Sequence, residues 1–310
     1  MAEFIVALFG RFQLQCNGKQ IDGIEASKVK ELLSFLLIHR EETLSRESLA
    51  ELFWEDLPPA KSKKYLRQAI WKLRSALEMY CQGGGCDLVV EADWIRLDPS
   101  PAVWQVDVIE FEQSCLDIKD KRARELSPTE FSRLQRTVNL CKGDLLEGCY
   151  QGWCIIERER FQASYMILLN KLIQYCEISQ QVETGLIYGE MLLRYDRAYE
   201  LAHRQMMRLY YMAGDRTRAL RQYERCVVAL REELGIGPAD RTIDLYEQIK
   251  ADRHNHRPNG SPVQPGPQSA DRLLINTAKR LDQYVERLNL IQSQIQEEIN
   301  SLENRSQTGQ

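Results

Sequence analysis

The segment from Lys61 to Leu77 most constrains what this chain can become, because it holds six basic residues, Lys61, Lys63, Lys64, Arg67, Lys72 and Arg74, and no acidic one. Leu66, Ile70, Leu73 and Leu77 recur at spacings of four, three and four, the seam of an amphipathic helix. At about 100° per residue, Lys61, Lys64, Gln68, Trp71 and Ser75 face away from that seam, with the other cations beside them. A solvated surface helix usually sets acids four residues from its lysines, and here the first acid is Glu78. A helix of this kind suits the major groove of double-stranded DNA. Flanking cations meet phosphates there, and the outer face meets base edges.

The surrounding order of elements fits that reading. Ile5–Phe9 and Phe12–Cys16 are expected strands, followed by an Asn17-Gly18 turn and a third strand near Gln20-Ile21. Ser27 opens a helix with Val29, Leu32, Leu33, Leu36 and Leu37 on its buried side. Ser45 caps a second helix with Leu49, Leu52 and Phe53 on one face, and Pro58-Pro59 leads into the basic helix, expected over 60–78. Leu88–Val90 and Trp94–Leu97 then form a hairpin whose single basic residue is Arg96. This is the order of a winged helix-turn-helix, an α+β DNA-binding domain over residues 1–100.

The chain as a whole is expected to be mainly α. Residues 104–252 read as an all-α domain with a repeat at offset 34, in which Gly185, Leu186 and Glu190 match Ala219, Leu220 and Glu224, and Ser179 matches Ala213. That is the tetratricopeptide period, where paired helices cross at small residues, and flanking helices must cap so short a stack. The proline-rich stretch 253–269 reads as a linker. Residues 270–305 carry heptads: Leu274, Leu281, Leu288, Ile295 and Leu302 at d, and Ala278, Val285, Gln292 and Ile299 at a. They predict a coiled-coil helix that joins two copies. Tyr284 and Ile291 widen the stripe and leave open a higher oligomer or a helix that folds back on its own chain.

Several segments resemble a known family. Residues 26–41, 45–54 and 66–77 resemble the OmpR-type winged helix of the SARP-type bacterial transcriptional regulators. Asp107-Val108 with Phe111-Glu112, residues 142–147, 213–223 and 230–238 resemble the bacterial transcriptional activator domain that follows it there. The resemblance runs over about residues 3–252 in the family's order. It implies a transcription activator that binds promoter repeats and contacts RNA polymerase. Lys72 and Arg74 fall where the family is basic, whereas Ala92-Asp93-Trp94 stands where its wing has Gly-Tyr. The family's larger members continue into a P-loop, which is not expected here, nor is a phosphorylated receiver domain.

Other classes find less support. The longest nearly apolar stretch, Leu32–Ile38, is too short to span a bilayer, and no signal peptide is expected, so a cytoplasmic protein without membrane partners is predicted. Nine cysteines then read as free thiols. Cys81, Cys86, Cys149 and Cys154 lack zinc spacing, so no metal or cofactor is expected, and no nucleophile–base set points to an enzyme. The net charge of −4 argues against nucleic acid only when taken whole. Two alternatives stay open: an adaptor acting through the tetratricopeptide surface, and a regulator that senses a small-molecule effector in its helical domain.

Overall fold

The computed structural model describes residues 3–21, 24, 27–80, 88–100 and 103–251, which fall within one compact unit. β1 (Phe4–Ala7) and β2 (Gln13–Cys16) pair antiparallel, and β3 (Lys19–Gln20) pairs with β2 across the Asn17-Gly18 turn. β1 stops at Ala7, two residues short of the expected end. The amides of Leu8 and Phe9 leave the ladder to meet the carboxylate of Asp107.

α1 (Ser27–Ile38), β4 (Leu44–Ser45), α2 (Arg46–Phe53) and α3 (Pro59–Tyr80) follow, then the hairpin of β5 (Leu88–Val90) and β6 (Trp94–Leu97). The second sheet has the order β4-β6-β5, so the hairpin is anchored beside the start of α2. All five apolar positions assigned to α1 are buried. Leu52 is not on the buried face of α2 and is 37% exposed. Phe53, one turn on from Leu49, faces inward, whereas Leu52 lies about 60° to the other side.

β7 (Trp104–Val106) returns to the first sheet and pairs parallel with β1, giving the order β3-β2-β1-β7. α4 (Asp107–Asp117) leads to α5 (Pro128–Leu140), which begins with a Ser127–Glu130 capping box. The repeat pairs α6 (Gly152–Ile178) with α7 (Val182–Tyr195), and α8 (Glu200–Met212) with α9 (Arg216–Leu234). The matched Ser179 and Ala213 close α6 and α8. A Cβ on Gly185 would lie 2.8 Å from a Leu209 methyl, and Ala219 is fully buried, so both matched positions need small residues. α5 packs on the first pair, and α10 (Asp240–Ala251) on the second.

A continuous hydrophobic core runs from Phe4 in β1 to Leu209 in α8. The linker 253–269 and the heptad segment 270–305, with Leu274, Leu281, Val285, Leu288, Gln292, Ile295, Ile299 and Leu302, lie outside the described residues. So do Cys81, Cys86 and the three glycines between them. Among the described residues no helix is long and apolar enough to cross a membrane.

Candidate nucleic-acid interface

Local signals set α2 and α3 against each other. The Ser45 hydroxyl caps α2 by accepting from the Ser48 amide at 3.4 Å. Pro58 and Pro59 start α3, and the buried Ser62 hydroxyl donates to the Pro58 carbonyl at 3.1 Å. The inner face of α3 is Leu66, Ala69, Ile70, Leu73, Ala76 and Leu77, the expected leucine seam widened by two alanines.

The outer face carries Lys61, Lys63, Lys64, Arg67, Gln68, Trp71, Lys72 and Arg74, all exposed, with Ser75 half-buried. Two of its cations are neutralised, contrary to the expectation of an unpaired face. Lys63 Nζ lies 2.6 Å from Glu47 Oε1 on α2, and Arg74 Nε donates to Glu78 Oε1 at 2.7 Å. The hydrogen bond between Glu47 and Lys63 holds the carboxyl below its ordinary pKa and the ammonium above its own. The separation of sixteen positions between Glu47 and Lys63 hid the first pair from any rule of spacing within one helix. Lys61, Lys64, Arg67 and Lys72 have no ion-pair partner among the described residues. Trp71, 68% exposed, makes no ring stack or hydrogen bond there either.

The hairpin beside them is fixed by Arg46, which spacing in the sequence gave no reason to single out. Its guanidinium donates to the carbonyls of Glu91 at 2.8 Å and Ala92 at 3.2 Å, and its amide donates to Asp93 O at 2.9 Å. The tip exposes two acids, Glu91 and Asp93. Arg96, half-buried, is tied to Asp98 at 3.3 Å. Positive charge is therefore concentrated on α3.

The mount behind this surface is built from long-range contacts. Asp107, at the first turn of α4, accepts from Leu8 N at 2.8 and 2.9 Å, Phe9 N at 2.9 Å and Val108 N at 2.7 Å. Burial pushes its carboxyl pKa up, and the amides oppose that shift only in part. Phe9 meets Phe111 and Phe161 edge-on, while Trp153 packs against Phe35 and Phe53. Glu112 pairs with Arg40 at 2.7 Å and Arg160 at 2.9 Å. The loop 142–147 clasps the β1–β2 turn: Gly10 N donates to Asp144 O, Leu146 N to Leu8 O, and Glu147 N to Gly10 O, each at 2.8 Å. Arg158 satisfies the carbonyls of Leu145, Leu146 and Cys149.

Residues 106–250, which supply most of that mount, match the family model of the bacterial transcriptional activator domain. The match covers a little under half of the chain. Among solved structures, Mycobacterium tuberculosis EmbR in complex with a low-affinity phosphopeptide has a similar fold. The TM-score is 0.66 at 18% identity, covering 91% of this chain and 71% of that one. The Sgt2 tetratricopeptide domain from Aspergillus fumigatus aligns at a TM-score of 0.31 and 15% identity, over 55% of this chain and 95% of that one. None of the curated protein sequences compared with the chain matches it.

The stretch that matches the activator-domain model also holds a groove of about 630 Å³ between α7 and α9. Arg197, Arg221 and Arg225 line it beside Glu190 and Glu224. His203 and Gln222 form its floor, 2.8 Å apart, and burial pushes the His203 pKa down. Of the repeat tyrosines, Tyr188 is buried, Tyr211 exposed, and Tyr175, Tyr210 and Tyr223 half-buried.

Proposed function

We propose that this SARP-type activator binds promoter DNA sequence-specifically through α3, as a dimer joined by the helix of residues 270–305, and contacts RNA polymerase. Lys61, Lys64, Arg67 and Lys72 meet phosphates, with Lys63 and Arg74 released from their carboxylates on contact, and Gln68 and Trp71 meet base edges. Arg96, held by Asp98, is the least available of the contacts. The observation that carries this reading is the set of four exposed cations without ion-pair partners among the described residues, on a helix that also exposes Gln68 and Trp71 and whose other face is core. Joining two readers raises the effective concentration of the second at paired half-sites.

The test is selection of bound duplexes from a random pool by the full chain. One enriched sequence is expected. Its affinity should fall with salt at a log–log slope of about −3.6 per bound copy, from roughly −0.9 for each of the four cations. Arg67→Glu or Lys64→Glu should weaken binding and flatten that slope by about 1 or more, with the fold retained. Salt-insensitive binding, or full binding by Arg67→Glu, would overturn the reading.

The groove between α7 and α9 favours a second reading, compatible with the first, in which a small molecule bound there biases DNA binding. A ligand at a hundred times its Kd stabilises by about 2.7 kcal/mol. A thermal-shift screen of nucleotides and metabolites that gave no stabilisation would count against it.

A further inference from the structure

A solvated helix face has no use for an indole. Trp71 nevertheless stands 68% exposed, flanked by Gln68 and Lys72, with Tyr65 and Met79 the other exposed large apolar side chains of α3. Gln68 lies almost opposite the buried seam, about 10° from the outward direction, and Trp71 about 50° to one side (both at about 100° per residue). Their Cα atoms differ by about 4.5 Å along the axis, close to a single base-pair step of 3.4 Å. The two side chains thus present a two-pronged amide and a broad apolar plate at neighbouring positions.

In the major groove those two chemistries select the same base pair. An amide side chain donates from its NH₂ to N7 and accepts at its oxygen from the N6 amino group of adenine in a bidentate pair, and apolar side chains pack on the C5-methyl of thymine. The indole N–H is a donor only and has no acceptor among the described residues. The four cations of α3 without ion-pair partners among the described residues identify the occupant of this surface as a polyanion rather than a second apolar helix. Extending the proposed DNA-binding function, we propose that α3 reads an A·T-containing step, with Gln68 on adenine and Trp71 covering the thymine methyl.

The duplex enriched by the full-length chain from a random pool is the probe. Thymines are replaced one at a time by uracil, which removes only the C5-methyl, and adenines by 7-deazaadenine, which removes only the N7 acceptor. At one thymine the uracil duplex should bind about fourfold more weakly, the worth of one buried methyl group. Trp71→Ala should bind the thymine and uracil duplexes equally, while Gln68→Ala should keep that discrimination and lose the one against 7-deazaadenine. Trp71 is exposed, so its variant is expected to fold, and circular dichroism checks this.

Equal binding of thymine and uracil duplexes by the native chain overturns the inference and leaves DNA binding standing. So does a methyl preference that survives in Trp71→Ala. If Trp71→Ala lowers transcription with DNA affinity and methyl discrimination unchanged, the indole serves a protein partner and the inference is again overturned. A pool with no enriched sequence overturns the DNA-binding function itself, and this inference with it.

Discussion

Asp107→Ala should loosen the N-terminal residues 3–100 from the helices that follow. The carboxylate is the acceptor for the Leu8 and Phe9 amides, both on buried residues, and for Val108 at the start of its own helix. Removing it leaves two foreign N–H groups without partners. Each buried unpaired donor costs about 1–3 kcal/mol, so the variant should lose roughly 2–6 kcal/mol. Asp107→Asn keeps one acceptor oxygen and turns an NH₂ group toward a donor, so about 1–3 kcal/mol is expected. The Ala variant must therefore be the worse of the two. Amide hydrogen exchange is the direct assay. Exchange at Leu8, Phe9 and Gly10 should accelerate at least about tenfold in Asp107→Ala, since 1.4 kcal/mol is a factor of ten. Amides within α9, remote from the junction, should change less. Unchanged protection at Leu8 and Phe9, or an Asn variant less stable than the Ala variant, would refute the reasoning.

Gly185→Ala should destabilise the repeats, because the added methyl would sit 2.8 Å from Leu209 Cδ1 and 3.0 Å from Cys176 Cβ, and the second is fixed to the backbone. The overpacking cost of about 1–3 kcal/mol outweighs a helix-propensity gain of about 1; calorimetry giving a Tm at or above the native value would contradict it. Lys121 and the Ser127 capping box hold the Glu130 carboxyl down to about 2. A depressed folded pKa contributes stability that is present above the ordinary 4.5 and lost as pH falls toward 2. Melting of Glu130→Gln should thus lack this part of the acid decline, and identical pH profiles would disprove the assignment. The Cys149 thiol is lowered to about 7 by its hydrogen bond with Cys154, whereas burial pushes Cys115 up to about 11 and Cys141 further still. Iodoacetamide at neutral pH should modify Cys149 before those two, read by mass spectrometry; the reverse order would argue against the thiol contact.

What could be read in advance was periodic. The seam of α3, its exposed cations and the offset of 34 all rest on spacings within one helix or one repeat, and the fold keeps them. The Trp94–Leu97 hairpin was legible from its strand-prone residues around a turn. What escaped was set by partners far away in the chain. The Glu47–Lys63 pair, the grip of Arg46 on the hairpin tip and the seat of Trp153 between Phe35 and Phe53 have no local pattern. β7 has three residues, too few to show alternation, and its partner lies a hundred residues earlier. The family's signature residues were visible as a resemblance, but their work was not: Asp107, Phe111, Glu112 and the loop 142–147 all serve the junction.

The parallel pairing of β7 with β1 determines where the chain can be cut. A fragment ending at residue 100 would leave one edge of β1 without its neighbour and would strip from Phe4 the Trp104 ring stacked on it at 4.5 Å. A bare strand edge recruits other strands, so such a fragment would self-associate through its backbone. Its stoichiometry on DNA would then report the truncation, not the protein. A separable N-terminal part has to extend past Val106, which means that it must carry off the first residues matched by the activator-domain model.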